Sequence, residues 1–495
     1  EKLTNEQQAA VDSRERSLLV SAAAGSGKTK VLVERLFSYV EREGANLDDF
    51  LIITYTRAAA SELRGKIAKA LTERMERDPG NYHLRQQMLR VYRADIKTVD
   101  AFCTALLREN CHLLGEDARG HALRPDFRVL DENEAQVLRE RVLARTLDDF
   151  YDCLTPGGTL LADTLGAGRD DSALEDLVLE LHAKLQAQPY EDKWLEAQRA
   201  FWRAVPDKIE DTPYGKILLN EVRRKARHCK NLLQRAAQEM CANDALNQKY
   251  APAFLDASYQ LEALEGKTAE GWDAARGVTI AFPRLAAVKD SDGGEMKARM
   301  KSLWDNCKET VKGFAEIFSA SSDEAVEDLR TMASAMLALI DLTADFSRRY
   351  NEEKRRRNSA DFSDQEHEAI RLLIGEDGAP TELARIVSAR YREIMVDEYQ
   401  DTNEVQNRIF DAISCKGENL FTVGDVKQSI YRFRLADPRI FLQHYNTWPP
   451  LEDAEEHDSA KLLLSRNFRS RKEVLDATNF IFCNILSEEM GELDY

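Results

Sequence analysis

The sequence lacks the features that mark membrane, secreted and metal-cluster proteins. No apolar run among its 495 residues approaches the roughly 20 residues that a membrane span needs. The first residues, EKLTN, carry no hydrophobic signal-peptide core. The eight cysteines are scattered without a C-x-x-C pair, which favours reduced core thiols over a metal or iron–sulfur site. We therefore expect a cytoplasmic protein without a membrane partner.

Positive charge is also in deficit, since the formal net charge is −18. Taken alone, this balance argues against a nucleic-acid partner, but net charge says little about a local groove. The chain is 43% hydrophobic and 32% charged, which suits a core-forming protein. Its length suggests about three domains.

Strand and helix patterns alternate at the two ends of the chain but not in its middle. Buried strands are predicted at 17–20, 49–54, 95–99, 393–396, 420–423 and 461–464. This alternation is typical of an α/β protein with a parallel, doubly wound sheet. Between about 111 and 359, strand-like runs nearly vanish, and apolar residues three or four apart predict a large all-helical insertion.

A phosphate-binding loop follows the first predicted strand and precedes a predicted helix. It consists of Ala22, Ala23, Ala24, Gly25, Ser26, Gly27, Lys28 and Thr29, with alanine where the usual pattern begins with glycine. Loop amides and the helix N-terminus supply partial positive charge to phosphate oxygens. We expect Lys28 to reach the β- and γ-phosphates of ATP and Thr29 to bind Mg²⁺.

An acidic pair, Asp397 and Glu398, directly follows a predicted buried strand near the other end of the chain. Such a pair suits phosphoryl transfer, because one carboxylate holds the metal and its neighbour polarises the attacking water. Ligands sit at the carboxyl ends of strands in α/β sheets. The sequence therefore predicts that the loop and the pair form one ATP site, separated by a long insertion.

Two further segments give these motifs a family context. Residues 396–403 (VDEYQDTN) and 423–434 (VGDVKQSIYRFR) resemble motifs II and III of the UvrD/Rep branch of superfamily 1 helicases. Residues 435–438 and 464–471 (LSRNFRSR) are most similar to the AddA-type subunits of bacterial AddAB helicase–nucleases. The resemblance implies a RecA-like P-loop NTPase with domain 1A at 1–110 and 360–450. It also implies a helical domain 1B at 111–359 and the start of a truncated domain 2A at 451–495.

The resemblance implies roles for residues on both the ATP side and the DNA side. Gln7 would read the adenine edge, Gln428 would sense the γ-phosphate, Phe468 would stack on adenine, and Arg469 would act as an arginine finger. The expected DNA contacts are Thr54, Tyr55, Thr56, Thr98, Tyr431 and Phe433. Asp100 stands where many relatives carry histidine.

The implied function is an ATP- and Mg²⁺-dependent DNA helicase acting on single-stranded DNA and duplex ends in double-strand break repair. Translocation would run 3′→5′, with an AddB-like partner subunit in a bacterial cytoplasm. The family's nuclease domain has no counterpart in this chain.

Two alternatives share part of this pattern. A stand-alone UvrD/Rep-type repair helicase shares every motif, but the size of the helical insertion and Lys427 and Leu435 oppose it. A non-catalytic helicase-like scaffold would be expected to lose Lys28 or Glu398, and both are present. Two basic clusters, at 222–235 and 348–357, fit either duplex phosphates or solvated helix faces.

Overall fold

The computed structural model describes residues 2–165, 172–289, 294–414, 417–431 and 435–486. Its strands are β1 (Leu18–Ala22), β2 (Phe50–Thr54), β3 (Asp95–Thr98), β4 (Arg128–Val129), β5 (Ser359–Ala360), β6 (Glu393–Val396), β7 (Leu420–Gly424) and β8 (Ala460–Leu464). The first ten helices are α1 (Asn5–Asp12), α2 (Lys28–Glu43), α3 (Arg57–Arg77), α4 (Tyr82–Arg90), α5 (Val99–Asn110), α6 (Glu132–Asp152), α7 (Pro156–Leu165), α8 (Ser172–Gln186), α9 (Glu191–Arg203) and α10 (Pro213–Met240). The others are α11 (Asp244–Lys249), α12 (Ala251–Lys267), α13 (Trp272–Arg276), α14 (Gly294–Ile317), α15 (Ser322–Arg356), α16 (Phe362–Leu373), α17 (Glu382–Arg390), α18 (Glu404–Ile413), α19 (Pro438–Thr447) and α20 (Lys472–Ile485).

Six strands form one parallel sheet in the order β3-β2-β6-β7-β1-β8. This arrangement confirms the predicted α/β class and the six predicted strands. Successive residues of a strand face opposite sides of a sheet. Leu18 and Val20 accordingly enter the apolar cluster on one face, whereas Leu19 enters the cluster on the other. Helices therefore cover both faces.

The last strand corrects the predicted domain division. We expected residues 461–464 to open a second RecA-like sheet, but β8 pairs in parallel with β1, and Ala22 lies opposite Leu464. A central strand has two hydrogen-bonding edges, and β8 uses the edge of β1 that β7 leaves free. The position of a strand along the chain does not reveal which sheet it joins.

The chain divides into two compact units. The sheet-bearing unit comprises Glu1–Leu154, Leu165–Leu195 and Asp341–Val474, and the helical unit comprises Thr155–Thr164, Glu196–Ile340 and Leu475–Tyr495. The sheet-bearing unit thus includes both ends of the predicted 111–359 insertion. Phe127, for example, is buried in the same cluster as Leu51 of β2. Apolar side chains of these ends complete the sheet's core, which a helical pattern alone does not indicate.

The helical unit has an apolar core of its own, built around α10, α12 and α14. Trp304 stacks on Phe254 with ring centroids 4.8 Å apart. The basic cluster at 222–235 lies largely on α10, where Lys225 pairs with Glu221 and Lys230 pairs with Glu265. Acids of neighbouring turns and of α12 therefore neutralise much of this cluster. Across the described ranges, we find no helix that combines the length and apolarity of a membrane span.

Candidate nucleotide-binding site

Four segments meet at the carboxyl edge of the sheet. The loop before α2 follows β1, the acidic pair follows β6, the segment 425–428 follows β7, and the segment 466–469 follows β8. The last segment is held directly on the loop. Asn467 donates from Nδ2 to the Ala24 carbonyl at 2.6 Å, and the Phe468 N–H donates to the Gly25 carbonyl at 2.9 Å. Parallel pairing thus brings together segments that are far apart in the sequence.

These segments enclose a cavity of about 700 Å³. The predicted ATP residues that line it are Ala24, Gly25, Gly27, Lys28, Thr29, Glu398, Gln428, Phe468 and Arg469. Lys28 Nζ lies 2.9 Å from Glu398 Oε2, so the two halves of the predicted site are in contact. Glu398 adopts a left-handed backbone conformation with φ of 52°. Non-glycine residues in this region are uncommon, and they cluster at functional sites.

The acids beside the cavity are electrostatically perturbed. Burial, followed by the charge of Glu398, raises the pKa of Asp397 to about 6, and Lys28 partly offsets this shift. The same two causes raise the pKa of Asp401 to about 6. A cation placed among these acids would relieve their repulsion. Clustered, perturbed carboxyl groups are typical of functional sites.

The loop has the features of a phosphate cradle. Gly25 and Gly27 have φ of 72° and 88°, and a Cβ on Gly25 would lie 2.8 Å from Asn467 Nδ2. Within the described part of the chain, the buried Ser26 Oγ has no hydrogen-bond partner. Gly27 caps the N-terminus of α2, whose free amides favour an anion. These features fit a nucleotide phosphate.

The donors near the loop also fit Mg²⁺. The described residues contain no cluster of three or more His, Cys, Asp or Glu side chains that could hold a metal by themselves. Magnesium is commonly held by one or two protein oxygens together with substrate phosphates and water. A hydroxyl from Thr29 and a carboxylate from Asp397 suit that mode of binding.

A second cavity, of about 660 Å³, gathers part of the predicted DNA surface. Tyr55, Thr56, Thr98 and Tyr431 line it, together with Asp100. The Tyr55 hydroxyl lies 2.5 Å from Thr402 Oγ1, and burial raises the pKa of Asp100. Phe433 lies outside the described residues.

The family assignment rests on the match of the chain to a known domain. Residues 3–449 match the UvrD/REP helicase N-terminal domain. The chain belongs to the UvrD/REP helicase family. Membership implies use of ATP, usually with Mg²⁺.

Curated relatives resemble this UvrD/REP helicase chain over its whole length. A relative from Ruminiclostridium cellulolyticum, named as an ATP-dependent helicase/nuclease of the AddA type, is 35% identical over 514 residues and 100% of the chain. Proteins of the same name from Acetivibrio thermocellus and Desulfitobacterium hafniense are 36% and 37% identical, also over 100% of the chain. The chain spans 40%, 40% and 37% of the lengths of these three relatives, respectively.

Several predicted ATP-site residues of this UvrD/REP helicase chain lie behind the cavity wall. Ala22 is buried at the end of β1, because it completes the pairing with β8. Ala23 donates its N–H to the Leu464 carbonyl at 3.1 Å. Gln7 was expected to read adenine, but its carboxamide accepts from Thr4 N at 3.1 Å and donates to the Ser26 carbonyl at 2.9 Å. Gln7 therefore braces the loop from behind.

One predicted DNA contact also differs from expectation. Thr54 is only 2% exposed at the end of β2, and its hydroxyl donates to the Thr56 carbonyl at 3.2 Å. The alternation of β2 directs this side chain into the fold, whereas Thr56 begins the turn that lines the second cavity. Tyr55 lines that cavity but also packs on the core, so its ring is half-buried.

Sequence reasoning missed some residues that line the two cavities. Lys66 and Lys69, on successive turns of α3, face the nucleotide cavity. Their spacing of three residues on the helix after β2 was the available signal. Glu366, Asn403 and Gln406 line the second cavity, and their sequence context carries no comparable signal.

Proposed function

We propose that this chain is the motor portion of an AddAB-type helicase–nuclease that unwinds DNA at double-strand breaks. The observation that carries the proposal is the contact between Lys28 and Glu398 in a cavity that Gln428 and Arg469 also line. Retention of all four side chains argues against a non-catalytic scaffold. The names of the relatives favour a helicase–nuclease over a stand-alone repair helicase.

The site supports ATP hydrolysis with a defined division of labour. Lys28 binds phosphate oxygens, and Thr29 and Asp397 hold Mg²⁺, which supplies charge neutralisation when bound. Glu398 orients the attacking water and accepts its proton. Arg469 stabilises charge on the terminal phosphate, while Phe468 offers an aromatic face for adenine.

The second cavity supports contact with single-stranded DNA. Its aromatic residues Tyr55 and Tyr431 offer stacking surfaces, which are sequence-tolerant and worth roughly 1–3 kcal/mol per base. Translocation 3′→5′, an AddB-like partner and a cytoplasmic location complete the proposal. The sheet-bearing unit would serve as the ATP-binding domain 1A, and the helical unit would form most of the 1B-type insertion.

Replacement of the proposed water-activating carboxylate tests this function. In the full-length protein, Glu398→Gln should lower kcat of DNA-stimulated ATP hydrolysis about 100-fold or more, because the amide cannot accept the proton. ATP binding, measured by fluorescence titration with a labelled analogue, should persist. Glu382→Gln, at an exposed position of α17, is the matched control and should leave the rate unchanged. Wild-type turnover in Glu398→Gln would refute the proposal.

A further inference from the structure

Gln400 lies two residues after Glu398, and its side chain is only 2% exposed. Its Nε2 donates to Glu398 Oε2 at 2.9 Å, and its Oε1 accepts from the Asp425 N–H at 2.9 Å. Both ends of the carboxamide are therefore engaged. One end holds the proposed water-activating carboxylate, and the other holds the segment that follows β7.

The hydrogen bonds continue from Asp425 back to the nucleotide cavity. Gln428 donates from Nε2 to Asp425 Oδ2 at 2.7 Å, and Gln428 lines the same cavity as Glu398. The four residues thus form a series, Glu398–Gln400–Asp425–Gln428, that leaves the cavity at one side chain and returns to it at another. Side-chain networks of this kind transmit changes in position when each member has few alternative partners.

Gly424 makes room for this carboxamide. A Cβ at position 424 would overlap Gln400 Oε1 and would lie 3.1 Å from Phe441 Cε2. The glycine is thus required for close approach, because any larger side chain would push the Gln400 side chain away from the end of β7. The short 3-10 turn Tyr399–Asp401 is also held from the other side, through the bond between Thr402 and Tyr55.

Two donors converge on Glu398 Oε2, namely Lys28 and Gln400. In the proposed reaction, Lys28 binds phosphate oxygens, so the amide of Gln400 is the donor that stays with the carboxylate. An amide orients a carboxylate without cancelling its charge, whereas an ammonium group neutralises it. A base that must accept a proton benefits from that difference.

We propose that Gln400 is a positioning residue that holds Glu398 for water activation and couples its orientation to Gln428. The inference rests on the proposed ATP hydrolysis. It assigns to Gln400 an effect on the chemical step and not on the binding of ATP.

The first test compares Gln400→Ala and Gln400→Glu in the full-length protein with a matched control. Both variants should lower kcat of DNA-stimulated ATP hydrolysis roughly 10- to 100-fold, since misplacement of a catalytic group by about 1 Å has effects of this size. KM for ATP should change less than about threefold. Gln400→Glu keeps an acceptor for Asp425 N–H but places a second carboxylate against Glu398, so its rate should fall at least as far.

Gln87→Ala controls for the loss of a buried glutamine. Gln87 is 0% exposed, accepts from the Leu47 N–H at 2.9 Å and donates to Asn46 Oδ1 at 3.0 Å. Its carboxamide therefore resembles that of Gln400 in burial and bonding. Gln87→Ala should lower the melting temperature while leaving kcat per folded molecule unchanged.

The second test is a double-mutant cycle between Gln400→Ala and Gln428→Ala. If the series acts as a unit, the double variant should lose about fivefold less activity than the product of the two single losses. The effects of Gln87→Ala and Gln428→Ala should instead multiply. Independent effects of Gln400 and Gln428, or an unchanged kcat in Gln400→Ala, would overturn the inference. If Glu398→Gln is inactive while Gln400→Ala is fully active, only this inference fails; a wild-type protein without DNA-stimulated ATPase would refute the proposed function.

Discussion

Glu366 on α16 is a buried carboxyl group in the wall of the second cavity. It accepts a hydrogen bond from Gln406 Nε2 at 2.7 Å. Burial is the largest influence on it, and the negative charge of Asp100 adds to that effect. Together they raise the pKa of Glu366 from 4.5 to about 7. The folded protein therefore keeps this proton at pH values where the unfolded chain releases it.

This pKa predicts a pH-dependent contribution to stability. Between about pH 4.5 and 7 the folded state binds more protons at this site, so the free energy of unfolding falls as pH rises. Glu366→Gln removes the titration. The free energy of unfolding of the variant relative to wild type should rise by about 1–3 kcal/mol from pH 5 to 8.

Thermal and urea unfolding across this pH range would measure the difference. Glu382→Gln, at an exposed position, should show a difference from wild type that does not vary with pH. A Glu366→Gln difference that is constant over the same range would show that the carboxyl ionises normally in the folded protein.

At the scale of elements, an ion pair joins the helix after the phosphate loop to the strand before the acidic pair. Arg35 of α2 and Glu393 of β6 are 0% and 2% exposed. Arg35 donates to both carboxylate oxygens, at 2.8 and 2.5 Å, and Tyr39 donates to Glu393 Oε1 at 3.1 Å. This pair fixes α2 against β6, so it positions the two halves of the nucleotide site.

Removal of one partner should be strongly destabilising. Glu393→Ala leaves a buried guanidinium without its counter-charge, and breaking a buried pair in this way costs about 3–5 kcal/mol. The double replacement Arg35→Met with Glu393→Leu should recover much of that loss. Urea denaturation measures both changes.

The matched control is a pair at the surface. Glu404 and Arg408 on α18 are about half exposed, and Glu404→Gln should cost less than about 1 kcal/mol. An effect of Glu393→Ala as small as that of Glu404→Gln would show that water reaches the Arg35 pair.

At the scale of the whole molecule, the nucleotide cavity belongs entirely to the sheet-bearing unit. Ligand that binds only the folded state stabilises it by about 2.7 kcal/mol at a concentration 100 times Kd. Addition of ATP with Mg²⁺ should therefore slow hydrogen exchange in the segments 22–29, 397–401 and 425–428. Exchange in α10 and α12 of the helical unit should change little.

Lys28→Ala provides the control for this measurement, because it removes the cation proposed to bind phosphate. It should abolish the protection of the three segments without altering exchange in α10. Equal protection of α10 and of the phosphate loop on addition of ATP would contradict a site confined to the sheet-bearing unit.

Local pattern alone predicted much of this protein. Six strands, the loop at 22–29 and the acidic pair at 397–398 lie where the sequence indicated, because hydrophobic periodicity and turn chemistry depend on neighbours in the chain. The family resemblance added Gln428, Phe468 and Arg469, all of which line the nucleotide cavity.

Tertiary structure decided what depends on distant partners. Pairing of β8 with β1 placed residues 460–464 in the first sheet, and that pairing buried Ala22. Packing turned Gln7 towards the back of the loop and set Gln400 between Glu398 and Asp425. Hydrogen-bond partners and strand neighbours are chosen by contacts across hundreds of residues, and a local sequence pattern contains no record of those contacts.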